Sequence, residues 1–219
     1  LFSLIHFYKL FNISKDLFIR TICLLMVQAY LIFKAGAIGV NELAAIEVSL
    51  IIFSLSSCIL DAFAHTAEAT VGHAIGAKNS FLLNKSIKLT LEMSLIFSIF
   101  ISLIWFCFEK NIIVTITDII VLQNLIDEFW IYIIFTPIIA VFAFQLDGIF
   151  IGATLAKEMR NSMIISALIF YFLIEFINQN LNVKNIYFCF LIFLSLRSII
   201  LFYYLNKVFK LSKKVNYHD

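Results

Sequence analysis

Apolar residues fall into six long blocks, at 17–36, 43–64, 87–108, 129–152, 162–179 and 186–206, and charged residues collect mainly between them. Each block is close to the 17–25 residues an α-helix needs to cross about 30 Å of hydrocarbon. The pattern therefore predicts an all-α polytopic membrane protein with six transmembrane helices. A helical pattern continues past the second block through Ala69 to Gly76. At 1.5 Å per residue, such a helix from 43 to 76 spans about 51 Å, so its end is expected to leave the bilayer, tilt or bend. Pro137, the only proline, lies inside the fourth block. It lacks a backbone donor and crowds the preceding turn, which predicts a kink.

The charges between blocks test the count. The N-terminal stretch carries Lys9, Lys15, Asp16 and Arg20 (+2), and the next loop carries Lys34 and Glu42 (zero). Lys78, Lys85 and Lys88 (+3) then face Glu109, Lys110, Asp118, Asp127 and Glu128 (−3). Lys157, Glu158 and Arg160 (+1) precede Glu175 and Lys184 (zero), and the tail has Lys207, Lys210, Lys213, Lys214 and Asp219 (+3). Basic loops alternate sides, as six crossings with both ends cytoplasmic require. Residues 17–206 are thus read as the membrane unit and 207–219 as a basic cytoplasmic tail able to contact anionic headgroups. Residues 1–16 suit either a cytoplasmic interfacial linker or the end of a preceding spanning segment.

Composition agrees: 63% of the 219 residues are hydrophobic, 25 are Phe, and the mean hydropathy is +1.02. Such a chain has too little polar surface to coat a soluble domain, so its solvent is the lipid bilayer. Cys23, Cys58, Cys107 and Cys189 fall in separate blocks without C-x-x-C spacing, which suggests neither a zinc site nor a disulfide framework. No cleavable signal is evident, since the first apolar run contains Arg20 and no small-x-small site follows.

Against this background the intramembrane polar residues stand out. A charge at bilayer depth costs roughly 2.5–3.5 kcal/mol on insertion scales, so such groups usually face a protein interior or a water path. Asp61 lies in Cys58-Ile59-Leu60-Asp61-Ala62-Phe63, and Asp147 in Phe144-Gln145-Leu146-Asp147-Gly148-Ile149-Phe150. Glu47, Ser54, Asp61 and Glu68 recur every seven residues and form one drifting stripe, with His65 between the last two. An Asp61–His65 pair can hold or relay a proton, or merely join adjacent helices. Asp147 can take a cation, a proton or a cationic substrate, or make an inter-helix hydrogen bond, with Gln145 beside it. Asp147 is the leading coupling candidate, and Asp61 is expected chiefly to organise its helix. Gln28 and Glu92 read as interior polar contacts. Arg197 is a candidate counter-ion for these acids, although snorkelling to the boundary is the preferred reading.

Gly72-x-x-x-Gly76 and Gly148-x-x-x-Gly152 can bring helix backbones close together. Asn161 and Ser162 are expected to cap the fifth helix. The Leu-Asp-small motif of Asp61 recurs 86 residues later at Asp147, a short internal echo of the kind seen in transporters. Phosphate-loop, His-Glu-x-x-His and Gly-x-Ser-x-Gly motifs are absent. The reading is therefore not an enzyme: no catalytic residue, resident cofactor, bound metal or nucleic-acid partner is expected.

Two runs carry a more specific signal. Leu60-Asp61-Ala62-Phe63-Ala64-His65-Thr66-Ala67-Glu68-Ala69-Thr70-Val71-Gly72-His73-Ala74-Ile75-Gly76-Ala77 resembles the DinF-like branch of the multidrug and toxic compound extrusion family. Phe144 to Thr154, followed by Met159-Arg160-Asn161-Ser162, looks like a second signature of that branch. The resemblance implies one lobe, helices seven to twelve, of a twelve-helix antiporter that exchanges H+ or Na+ for organic, often cationic, substrates at the inner membrane. It implies an N-terminal six-helix lobe in the same or another chain, so a chain beginning with Leu1 is expected to be a fragment. A truncated, non-transporting product or structural subunit is the alternative. The resemblance makes Asp147 an ion-coupling or substrate-binding position and Asp61 and Glu68 cavity positions, with His65 and Gln145 beside them. An acidic position of another branch corresponds approximately to the neutral Gln28.

Overall fold

The computed structural model describes residues 4–177 and 182–213. The last residues of the basic tail, 214–219, and residues 1–3 of the N-terminal stretch lie outside them. Among the described residues seven helices follow one another: α1 (Leu4–Ile38), α2 (Val40–Gly76), α3 (Ser80–Cys107), α4 (Glu109–Ile116), α5 (Ile120–Gly152), α6 (Ala156–Ile177) and α7 (Val183–Lys213). Six are long and apolar enough to cross a membrane, as the block pattern predicts. Each extends past its apolar block at one or both ends, because helical hydrogen bonding continues where polar side chains reach the headgroup zone. The short α4 lies in the acidic loop and was not anticipated from the sequence.

α2 and α5 cross at the centre of the bundle. α1 packs on α6 and on part of α2, α6 on α7, α7 on α5, and α3 on both central helices. Trp130, Phe170, Tyr187, Phe190 and Phe193 fill the larger core cluster. Small side chains dominate the α2 side of the second cluster, where Ala67, Val71 and Ala74 face Ile149 and Phe150. A Cβ on Gly148 would collide with the Ala64 carbonyl oxygen, and one on Gly152 with that of Glu68. The second Gly-x-x-x-Gly pair therefore sets the close approach of α5 to the α2 backbone.

Both central helices end in the same turn. After α2, the N–H groups of Ala77, Lys78 and Asn79 donate to the carbonyls of His73, Ile75 and Ala74. After α5, Ala153, Thr154 and Leu155 donate to Ile149, Ile151 and Phe150. Lys78 and Thr154 take left-handed backbone at φ 55° and 57°. The structural echo is thus Gly-x-x-x-Gly-Ala at an offset of 76 residues, in place of the 86-residue offset of the two aspartates. Helix α6 begins directly after the second turn, so Asn161 and Ser162 lie inside it and do not cap it. Asn161 instead accepts from Arg160, and Ser162 donates to the Met159 carbonyl at 2.8 Å.

Helix α5 runs through Pro137. Ser102 Oγ of α3 donates to the Ile134 carbonyl at 2.6 Å. That carbonyl lies next to Ile133 O, the acceptor that proline leaves without its helical donor. Other polar side chains also bond across helices, Trp105 Nε1 to Ser56 Oγ at 3.0 Å and Thr136 Oγ1 to Tyr187 Oη at 3.0 Å.

Candidate functional site

A charged cluster assembles where α1, α2, α5 and α7 meet. Asp147 is 4% exposed, and its Oδ2 takes ion pairs from both Arg20 of α1 and Arg197 of α7. No basic residue on α5 itself supplies a partner, so the helix crossing must. Arg197 is 2% exposed at mid-helix. The snorkelling preferred for it from sequence is therefore corrected. Burial leaves its guanidinium no route to water, and only a carboxylate offsets that desolvation.

Arg20 was counted in the sequence as a cytoplasmic-side charge. Its side chain instead turns inward, keeping 19% exposure beside Asp147. A signal for this lay in the helical spacing: Asp16, one turn earlier on the same face of α1, bonds Arg160 of α6 at 2.5 Å. Both residues face the bundle.

A cavity of about 160 Å³ opens beside this triad, lined by Arg20, Asp61, Ala64, His65, Glu68, Asp147, Gly148 and Ile151. Asp61, Glu68, His65 and Asp147 thus share one space, as their sequence grouping suggested. The close approach at Gly148 produces this: without a Cβ there, the α2 carboxylates come within reach of the α5 and α1 charges. The ion pair formed on α2 is His65–Glu68, at 3.5 Å between Nδ1 and Oε2, in place of the anticipated Asp61–His65 pair. His65 is 77% exposed. Asp61 is half-buried and faces the cavity.

The other candidates lie apart. Gln145 is buried against α3, where its Nε2 donates to Thr90 Oγ1 at 2.6 Å, so it joins helices and does not line the cavity. Gln28 is half-buried on α1, two turns beyond Arg20, and is likewise absent from the lining. Glu92 is exposed and pairs with Lys88 at 3.7 Å. Glu47, Ser54 and His65 continue an exposed polar face along α2.

Two further ion pairs bind α1 to α6. Asp16–Arg160 closes one end at 2.5 Å, and Lys34–Glu175 the other at 2.6 Å. Tyr30 adds its hydroxyl to Glu175. Lys207 of α7 reaches Glu158 of α6 at 2.8 Å.

Larger hollows of about 430 and 470 Å³ lie between α5 and α7 and among α2, α3 and α4. Both are lined mostly by apolar side chains and hold none of the charged groups.

Comparison with known proteins adds two findings. A family model described as MatE matches residues 17–177. The chain is also 29% identical over 162 residues to "DNA damage-inducible protein F" of Escherichia coli (strain K12). That alignment covers 74% of this chain and 35% of the relative's length.

Proposed function

The chain belongs to the MatE family, and on that premise we propose that it forms the C-terminal six-helix half of an ion-coupled efflux antiporter of the DinF-like branch. The observation that carries this reading is the charged cavity at the crossing of four spanning helices. Buried charges at membrane depth are costly and are retained where ions or substrates pass.

Antiport requires ion and substrate to favour different states, or to compete for one site. Asp61 suits that task better than Asp147. Two guanidiniums already neutralise Asp147, and they would repel a metal cation placed beside it. This supports H+ over Na+ as the coupling ion, with Asp61 as the exchangeable carboxylate and Glu68 and His65 assisting. Asp147 then acts as the fixed counter-ion of the arginines. Drug-sized ligands occupy sites of roughly 300–1,000 Å³, larger than the 160 Å³ cavity. An organic, cationic substrate is therefore completed by a second six-helix lobe against the exposed polar face of α2. The loop charges support an inner-membrane protein with both ends of this segment cytoplasmic.

The test is exchange by the intact protein in vesicles, using a panel of organic cations and anions under imposed proton or sodium gradients. Cation exchange driven by the proton gradient is expected. Absence of gradient-driven exchange with any substrate would favour the alternative, a non-transporting membrane subunit.

A further inference from the structure

The cluster brings together two aspartates and two arginines, yet both arginines sit on one aspartate. Arg20 and Arg197 converge on the same oxygen of Asp147, while Asp61 faces the shared cavity. With both acids ionised, pairing both guanidiniums directly to one carboxylate oxygen while the other acid feels them only across the cavity is the costlier distribution; one guanidinium per carboxylate is favoured. The arrangement is the stable one when Asp61 is neutral.

The two arginines are not equally able to redistribute. Arg197 is buried on α7, and leaving Asp147 would strand its charge. Arg20 is partly exposed, lines the cavity between the two acids and has a long, flexible side chain. Its Nε is buried without a hydrogen-bond partner, as is the second oxygen of Asp147. The existing arrangement therefore leaves donor and acceptor capacity at the cavity wall unused.

Resting on the proton-coupled reading above, we propose that Arg20 is the positioning residue of the coupling step, moving between Asp147 and Asp61 according to the protonation of Asp61. When Asp61 holds a proton, Arg20 latches α1 to α5 through Asp147. When the proton leaves, Arg20 transfers to the Asp61 carboxylate and the α1–α5 latch opens. Helix α1 does not move alone, because Asp16–Arg160 and Lys34–Glu175 hold it to α6 near both ends. Release at Arg20 frees α1 and α6 to shift as a pair against the α2–α5 crossing.

The charged groups facing Asp61 are Arg20 from α1, His65 and Glu68 from α2 itself, Asp147 from α5 and Arg197 from α7. Among the described residues α3 and α6 add no titratable side chain to the cavity lining. Protonation of His65 adds positive charge that favours ionised Asp61, whereas Glu68 acts in the opposite sense. Any pH response must therefore be assigned with Asp61 itself observed.

Solid-state NMR on the intact protein in bilayers, with 15N-arginine and 13C-aspartate, can follow the guanidinium–carboxyl contacts directly. R20K, D147N and D61N, each compared with wild type, assign the Arg20, Asp147 and Asp61 signals. Across a pH series, the Arg20–Asp147 contact should weaken and an Arg20–Asp61 contact should appear as the Asp61 carboxyl signal ionises. D61N should hold Arg20 on Asp147 at every pH. An Arg20–Asp147 contact unchanged while Asp61 titrates would overturn the proposal, as would an Asp61 carboxyl that never changes protonation. These contacts are read without transport. A moving contact without exchange would sink the antiport reading and keep the latch; proton-driven exchange with a static contact would do the reverse.

Discussion

Adding one methyl group at Gly148 should damage this protein more than its size suggests. A Cβ there would strike the Ala64 carbonyl oxygen and approach the Ala64 carbonyl carbon and Cα to 2.7 and 2.9 Å. All three atoms are backbone, so no rotamer change relieves the clash and the α2 and α5 axes must separate. Overpacking of this kind costs about 1–3 kcal/mol, occasionally more. At roughly 2–4 °C per kcal/mol for a chain of this size, Gly148→Ala should lower the melting temperature in detergent by about 2–12 °C. Two further variants isolate the cause. Nothing lies within 4 Å of a Cβ at Gly76, so Gly76→Ala should be neutral or gain up to about 1 kcal/mol from helix propensity. Ala64→Gly should fail to rescue Gly148→Ala, because it removes none of the atoms in the way. Dye-monitored melts of the four proteins decide the matter. A Gly148→Ala protein as stable as wild type, or one rescued by Ala64→Gly, would refute the close-approach argument.

Three other outcomes follow from named contacts. Asp147→Asn leaves two guanidiniums without their carboxylate and should cost about 3–5 kcal/mol, while Asp147→Asn with Arg197→Met should recover much of that loss, measured by the same melts. Thr154 is a β-branched residue in left-handed backbone, so Thr154→Gly should stabilise by about 1–2 kcal/mol. In the segment between α3 and α5, burial first and then the neighbouring Asp127 carboxyl push the Glu109 carboxyl above its ordinary range. Protonated Glu109 is therefore favoured on folding: its contribution is fully present below the ordinary glutamate range and is lost as pH rises through the raised value. Glu109→Gln should flatten the stability–pH profile within that window and leave it unchanged above.

Six spanning helices were legible because block length and alternating loop charge report on the bilayer, which every crossing meets alone. The same reasoning could not place α4, since Glu109–Ile116 is too short to cross and carries its two charges, Glu109 and Lys110, in its first turn. The shared stripe of Asp61, His65 and Glu68 was legible from helical spacing, and Asp147 stood out by its apolar surroundings but was joined to them only through the family resemblance. Their partners were not, because Arg20 and Arg197 arrive from helices distant in sequence and each also suits a boundary position. Gln145 shows the converse. Adjacent in sequence to the cluster, it points toward α3, because residues two apart on a helix face different sides. The Gly-x-x-x-Gly motifs announced close packing without saying against what; only the crossing of α2 and α5 reveals that the pair at Gly148 also shapes the cavity.

The central claim is that a proton on Asp61 and an organic cation exclude one another. Proton release on adding substrate cation to the intact, lightly buffered protein in detergent, read with an indicator dye, tests it most directly. Wild type should release protons on binding, and apparent affinity should fall about tenfold per pH unit below the Asp61 titration, whereas Asp61→Asn, the neutral mimic of the protonated acid, should bind weakly at every pH and release none. Binding without proton release in wild type, or undiminished release from Asp61→Asn, would contradict the account.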